Sequence, residues 1–323
     1  MNEPVLDIKG LSVYFDTPEG MGRAVQSVDL RLERGETLGL VGESGSGKSV
    51  TALSILGLVP SPPGRIVSGS IMFDRRDLVS ADNETLRRTR GRDIGMIFQE
   101  PMTALNPVVP IGRQVAEPLM AHFSISRSEA MKKAARWLDR LRIPSAANRL
   151  SAYPHELSGG MRQRVMIAMA MICRPRLLIA DEPTTALDVT LQRQILHVMD
   201  GLKSELNSSM MLITHDLGVV AQTADNVAVM YAGRIMEKAD VHSLFANPLH
   251  PYTRGLMQSM PRLGVVRDRL SEIPGMVPST TRQIRGCPFA GRCPNVMNRC
   301  RKRAPELLDV RPGCFVSCFL YAE

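Results

Sequence analysis

The run Gly42-Glu43-Ser44-Gly45-Ser46-Gly47-Lys48-Ser49 has the spacing G-x-x-x-x-G-K-[ST]. Glycines so placed let successive backbone N–H groups turn inward on a string of phosphates. Lys48 then supplies a point charge to the β- and γ-phosphates, and Ser49 offers its hydroxyl to Mg²⁺. Downstream, the apolar run Leu177-Leu178-Ile179-Ala180 ends in Asp181 and Glu182. Two carboxylates at the end of a buried strand suit metal-assisted phosphoryl transfer, with Asp181 serving the cation and Glu182 the attacking water. Each feature strengthens the other, and together they point to a nucleoside triphosphate and its hydrolysis.

Such side chains need rigid elements behind them. Thr37–Val41 is a short apolar run before the glycine loop, and Ser49–Leu58 has helical spacing after it, giving strand, loop, helix. The runs Val5–Ile8, Leu11–Phe15 and Val25–Leu32 read as antiparallel strands. Between about Asp82 and Leu150 the composition turns to Arg, Glu, Ala and Leu, and Ala130, Ala134, Trp137, Leu138 and Leu141 fall on one helical face, which predicts a helical insert. Leu177–Ala180 and Met210–Thr214 read as buried parallel strands separated by a helix from about Leu191 to Glu205, with a further strand over Asn226–Tyr231. Beyond about Asp240, prolines from Pro248 to Pro312 break any long element, which predicts a separate, loop-rich appendage.

Composition bounds the answer. The 323 residues, 44% hydrophobic and 22% charged, suit about two folded units and exclude a disordered chain or a fibrous rod. Forty basic against 32 acidic residues give a net charge of +8, which fits an anionic membrane face or nucleic acid. The longest apolar run, Val165–Cys173, is far short of the ~20 residues that span a bilayer. Met1–Val5 lacks a basic region followed by an apolar one, so the expectation is a cytoplasmic protein. Cys173 stands alone while Cys287, Cys293, Cys300, Cys314 and Cys318 crowd the end of the chain, a distribution that suggests a metal rather than disulfides.

Further motifs narrow the reading. Leu157-Ser158-Gly159-Gly160-Met161-Arg162-Gln163-Arg164 resembles the signature motif of ATP-binding cassette (ABC) proteins. Gln99 within Ile97–Pro101 resembles their Q-loop, Ala186-Leu187-Asp188 their D-loop, and His215 within Ile213–Asp216 their switch histidine. Over roughly residues 5–240 the chain is identified as a member of that family. The resemblance implies an α/β fold: a RecA-like P-loop core with an antiparallel β-subdomain and an inserted helical subdomain at about 101–163. It places a nucleotide-binding domain at 1–240 and a Cys/Pro-rich C-terminal extension at 241–323. It also implies a head-to-tail dimer that sandwiches two ATP molecules. In such a dimer the loop from Gly42 through Ser44, Gly45, Ser46, Gly47, Lys48 and Ser49 takes the phosphates. Ser158, Gly159 and Gly160 form a second N–H-rich turn, opening a helix at Met161, that caps a γ-phosphate. Gln99 touches Mg²⁺ and the water, His215 contacts the γ-phosphate, and Asp188 lies in the D-loop. Phe15 stacks on adenine, with neighbouring Tyr14 as the alternative. One departure is Met161, where the family has Gln; it leaves open how the signature turn is fastened.

Phe98–Pro107, His250-Pro251-Tyr252-Thr253 and the cysteine-rich tail resemble ATP-binding subunits of oligopeptide and dipeptide importers, and nickel importers share much of this pattern. The implied partners are two transmembrane permease subunits, a second ATPase subunit (identical or not) and, indirectly, an extracytoplasmic solute-binding protein. The implied location is peripheral, on the cytoplasmic face of the inner membrane, without nucleic acid. Cys287, Cys293, Cys300 and Cys314 have the spacing C-x5-C-x6-C-x13-C, and no C-x2-C pair of the kind found in tight zinc sites is present. The resemblance implies a [4Fe–4S] cluster on these four, with Cys318 as an alternative to Cys314; zinc and free thiols stay open. Six basic residues and no acid lie between Arg285 and Arg303, suited to offsetting a thiolate centre or to a solvated loop. The rival reading is a soluble cassette ATPase acting on nucleic acid or ribosomes. It calls for two cassettes or a long coiled-coil insert, whereas one P-loop is present and only 58 residues separate Gln99 from Ser158.

Overall fold

Alternating and continuous apolar runs produce two kinds of sheet in the computed structural model, which describes residues 3–100, 104–185, 187–260 and 272–322. In chain order the strands are β1 (Leu6–Thr17), β2 (Gly20–Leu32), β3 (Thr37–Val41), β4 (Gly64–Phe73), β5 (Arg76–Asp77), β6 (Ile94–Ile97), β7 (Leu177–Asp181), β8 (Ser209–Thr214), β9 (Asn226–Tyr231), β10 (Arg234–Asp240), β11 (Leu308–Arg311) and β12 (Cys314–Val316). The chain divides into two units, one of residues 1–5, 33–35 and 81–211, the other of 6–32, 36–80 and 212–323, and the division falls inside β8.

In the second unit, β2, β1, β4 and β5 form an antiparallel sheet in that order. The expected runs Val5–Ile8, from Leu6 onward, and Leu11–Phe15 belong to the single strand β1, whose pairing with β2 shifts register between Ile8 and Leu11. The irregularity keeps Leu6, Ile8, Leu11 and Val13 all buried although strict alternation is broken. β3 is buried at every residue and pairs in parallel with β9, as a strand covered on both faces should. Residues 241–323, expected as a separate appendage, fall within this same unit. β12 pairs with β10 through Glu237 and Val316, and β11 pairs with β12. Short helices at Val241–Ala246, Pro251–Gln258 and Asn298–Lys302 complete the tail.

In the first unit, β6 lies parallel to β7, from Ile94 opposite Leu177 to Ile97 opposite Ala180. The helical insert contains Ile111–His122 and Arg127–Arg140. Ser126 caps the latter by accepting from Glu129 N–H at 3.2 Å, and Ala130, Ala134, Trp137, Leu138 and Leu141 are all buried, the stripe that the spacing predicts. The helix expected from about Leu191 to Glu205 runs Val189–Leu206.

Candidate functional site

In the second unit, β3 delivers the chain into Gly42, and the helix Lys48–Ile55 begins immediately after Gly47. Lys48 is buried, and its Nζ donates to Gly42 O at 2.7 Å, Glu43 O at 3.0 Å and Ser46 Oγ at 3.4 Å. Ser46 N–H donates to Glu43 O at 3.2 Å, so the loop is closed around its own cation. Ser44 and Gly45 are exposed and Ser49 is half-buried, leaving the outer rim of the loop open to a ligand. Phe15 is half-buried with its ring edge close over Gly64, whereas the Arg23 guanidinium lies 5.8 Å from the Tyr14 ring centroid. His215 is exposed just beyond β8, and next to it Asp216 caps the helix Leu217–Thr223 by accepting from Gly218 N–H at 2.8 Å.

Two residues to which the sequence assigns no role at the phosphate site, Tyr252 and Arg292, also hold the loop through Glu43. Glu43 N–H donates to the hydroxyl of fully buried Tyr252 at 2.9 Å. Arg292 Nη1 donates to the Glu43 carboxylate at 2.8 and 3.1 Å. Arg292 and Glu43 lie 249 positions apart, so no local pattern could pair them. Arg292, with its side chain enclosed and paired to a carboxylate, is therefore not part of a solvated basic loop.

Tyr252 is positioned by its helix start, where the Nδ1 of buried His250 accepts from Tyr252 N–H at 3.0 Å. Burial, with a smaller effect from Arg254, pushes the His250 pKa down from 6.5 to about 3. The folded form thus resists protonation that the unfolded chain accepts. The stability this confers is complete above pH 6.5 and is lost by up to about 1.4 kcal/mol per pH unit as the pH falls from there towards 3. His250→Asn keeps an acceptor at the cap but takes up no proton, so its melting temperature is expected to fall less steeply than the parent's between pH 6.5 and 5. Equal slopes in thermal melts would remove His250 from the acid response.

In the first unit, the acidic strand ends as expected. Asp181 is buried at the last position of β7. Glu182 follows with φ 47°, a left-handed backbone for a non-glycine residue that costs about 1–3 kcal/mol and aims its side chain off the strand axis. Glu182 Oε2 accepts from Gln99 Nε2 at 3.0 Å and from Thr185 Oγ1 at 2.9 Å. Gln99 and Glu182, predicted separately, are thus in direct contact, and Thr185 is an addition.

The signature turn is exposed at Ser158 and Gly159 and opens the helix Gly159–Met171, two residues earlier than expected. Ser158 caps it by accepting from Met161 N–H at 3.4 Å. This fastens the turn through the backbone of Met161, where a side-chain donor is missing. Farther along, Gln163 Nε2 donates to Pro183 O, and Arg164 Nη1 donates to Leu141 O at 2.8 Å, anchoring the helix to the acidic loop and to the insert. Gly160 is buried where a Cβ would meet Leu191 Cδ2 at 2.5 Å, so its small size permits the contact with Val189–Leu206. Asp188 caps that helix, accepting from Leu191 N–H at 2.9 Å. Pro101, Met102 and Thr103, from the runs resembling the Q-loop and the peptide importers, and Ala186, from the run resembling the D-loop, lie outside the described residues.

The tail cysteines are free thiols packed into an apolar cluster with Tyr231, Tyr252 and Phe289. Burial pushes the Cys287 thiol up to about 12 and raises those of Cys293 and Cys318. Cys287, Cys300, Cys314 and Cys318 are buried in that cluster, and Cys293 packs against it. Four neighbouring sulfur donors suit an iron–sulfur centre chemically. Yet among the described residues no group of three or more His, Cys, Asp or Glu side chains is set to hold a metal ion. Among them, too, no helix is long and apolar enough to cross a membrane.

Comparison with known proteins agrees with these features. Residues 25–185 match the ABC transporter family, and residues 236–300 match the oligopeptide/dipeptide transporter C-terminal region. The chain is 51% identical to a probable peptide ABC transporter ATP-binding protein of Sinorhizobium fredii, over 98% of this chain and 94% of the relative. It is 49% identical to the oligopeptide transport ATP-binding protein OppD of Escherichia coli, over 99% and 94%. A dimeric ATP-binding cassette solved in a post-hydrolysis state with ADP and Pi superposes with a TM-score of 0.66 at 26% identity, over 73% of this chain and 98% of that one. With the glycine loop, the capped signature turn and the Gln99–Glu182 contact in place, the chain belongs to the ABC transporter family of ATP-binding proteins and carries the C-terminal region of its oligopeptide/dipeptide branch.

Proposed function

We propose that this protein is the ATP-hydrolysing subunit that powers import of di- or oligopeptides through membrane permeases. The observation that carries this reading is the near full-length identity to peptide-import ATP-binding proteins, extending through the C-terminal region. Lys48 and the loop N–H groups hold the ATP phosphates. Asp181, a buried oxygen donor at a strand end, suits a hard cation, and with Ser49 and Gln99 it would hold the Mg²⁺ that neutralises phosphate charge when bound. Glu182 orients the attacking water, and His215 contacts the γ-phosphate. Ser158, Gly159, Gly160 and Asp188 act across a dimer of ATPase subunits, which is either homomeric or completed by a second cassette. The complex sits at the inner face of the cell membrane on two permease subunits, supplied by a solute-binding protein outside.

A pull-down of tagged Glu182→Gln protein with ATP, from native membranes in mild detergent, tests this reading. Two polytopic permeases recovered with the protein support it, and the genes beside theirs lead to the substrate, peptide or nickel. Ribosomal proteins or nucleic acid without a permease overturn it.

The same reading includes a [4Fe–4S] centre on Cys287, Cys293, Cys300 and Cys314, with Cys318 as the alternative fourth ligand. Its support is the packing of all five tail cysteines in or against one apolar cluster. Iron and sulfide assays on anaerobically purified full-length protein should show loss of the centre in Cys287→Ser, and the fourth ligand is whichever of Cys314→Ser and Cys318→Ser also loses it. An iron-free parent, or an unchanged iron and sulfide count in Cys287→Ser, refutes this ligand set.

A further inference from the structure

Arg292 is almost enclosed, with its side chain 8% exposed, and its donors are committed in several directions. Nε donates to Pro274 O at 2.9 Å and Nη2 to Ile273 O at 2.9 Å, which fixes the plane of the guanidinium. Nη1 is thereby aimed at the Glu43 carboxylate, with the Tyr231 hydroxyl at 3.3 Å. An exposed ion pair contributes about 0–1 kcal/mol and would carry no argument. An enclosed guanidinium with a fixed plane differs, because removing one partner strands the other's polar groups.

Glu43 lies inside the phosphate loop itself, and each of its polar groups has a task. Its carboxylate meets Arg292, its N–H donates to Tyr252 OH, and its carbonyl accepts from Lys48 Nζ at 3.0 Å and from Ser46 N–H. We propose that Arg292 is a positioning residue of the ATP site: it clamps Glu43, with Tyr252, so that the phosphate loop keeps the shape that presents Lys48. The C-terminal region is then a working part of nucleotide binding. Arg292 touches no phosphate and acts only through Glu43.

A loop that must be reordered before binding loses apparent affinity in proportion to the fraction already in the competent shape. Once ATP fills the loop, the ligand enforces that shape, so affinity should suffer more than turnover. This role presupposes ATP turnover by the protein, and a parent without turnover would overturn that premise rather than the clamp.

The test measures KM for ATP, kcat and melting temperature on the full-length chain. Arg292→Ala is expected to raise KM about tenfold, equivalent to about 1.4 kcal/mol, with kcat changed less than threefold. Arg292→Lys should recover part of the loss, since it restores the charge but not the planar donor set. Glu43→Gln should match Arg292→Ala, and the double variant should be no worse than either single one. A KM within twofold of the parent in Arg292→Ala, or additive losses in the double variant, overturns the proposal. So does a lowered melting temperature with KM unchanged. Should Arg292→Ala fail to fold, Tyr252→Phe removes only the oxygen that accepts from Glu43 N–H, and about a threefold rise in KM is expected. An unchanged KM there also overturns the clamp.

Discussion

Glu182→Gln is expected to lower ATP turnover by at least about 100-fold while leaving ATP affinity within about threefold of the parent. The exchange is nearly isosteric, so the left-handed turn at φ 47° and the contacts from Gln99 and Thr185 lose at most one acceptor. A neutral amide, however, can neither take a proton from water nor orient it through a full negative charge. Binding draws instead on Lys48 and the loop N–H groups, which the substitution does not touch. Single-turnover hydrolysis and equilibrium ATP binding on the same preparation separate the two effects. Retained turnover would move the water-activating role away from Glu182, while lost binding would show that its charge shapes the nucleotide site. Gln99→Ala provides a graded comparison: Glu182 keeps its charge and its Thr185 contact, so a smaller loss of turnover is expected.

What could be read from the sequence was whatever is encoded within a few residues. The strand, loop and helix around Gly42–Ser49, the buried stripe from Ala130 to Leu141 and the strand Asn226–Tyr231 each announce themselves through local spacing, and each was found where expected. Cap residues were harder to interpret. Asp188 caps a helix by accepting from Leu191 N–H, and nothing in its immediate sequence distinguishes a capping carboxylate from one at a nucleotide site. The helix after Ser158 was expected to open at Met161 because two glycines are poor helix formers, but the Ser158 cap draws them into the first turn. Contacts distant in the chain left no trace. β11 and β12 are strands of four and three residues whose pairing begins with β10, and an Arg292 that clamps Glu43 looks in isolation like any other basic residue of the tail. The cysteine spacing identifies a group of donors, and the tail thiols do gather in or against one apolar cluster, which holds Cys314 and Cys318 alike.

Gly47→Ala is expected to abolish measurable ATP binding, whereas Gly45→Ala should only weaken it. Both glycines have backbones that L-residues adopt at a cost, φ +106° at Gly47 and +76° at Gly45. Strain alone would therefore impose a similar penalty at the two positions, about 1–2 kcal/mol. Their surroundings differ. A Cβ at Gly45 would meet nothing within 4 Å, while one at Gly47 would lie 2.4 Å from the backbone oxygen of Ala24 and 2.7 Å from Met230 Cε. The methionine could move aside, but Ala24 is a buried residue of β2, which is paired along its length with β1, and its carbonyl cannot yield without shifting that strand. Displacement must then fall on the loop, one residue before Lys48 and at the first turn of its helix, where the N–H groups that receive phosphate are set. The expected result for Gly47→Ala is a loss of ATP affinity exceeding about 100-fold, with a lowered melting temperature as part of the overpacking strain appears in the fold. Fluorescent-nucleotide titration of both variants checks this. Equal affinities would mean that the loop absorbs the clash, and that the left-handed backbone rather than the close approach to Ala24 is what requires glycine there.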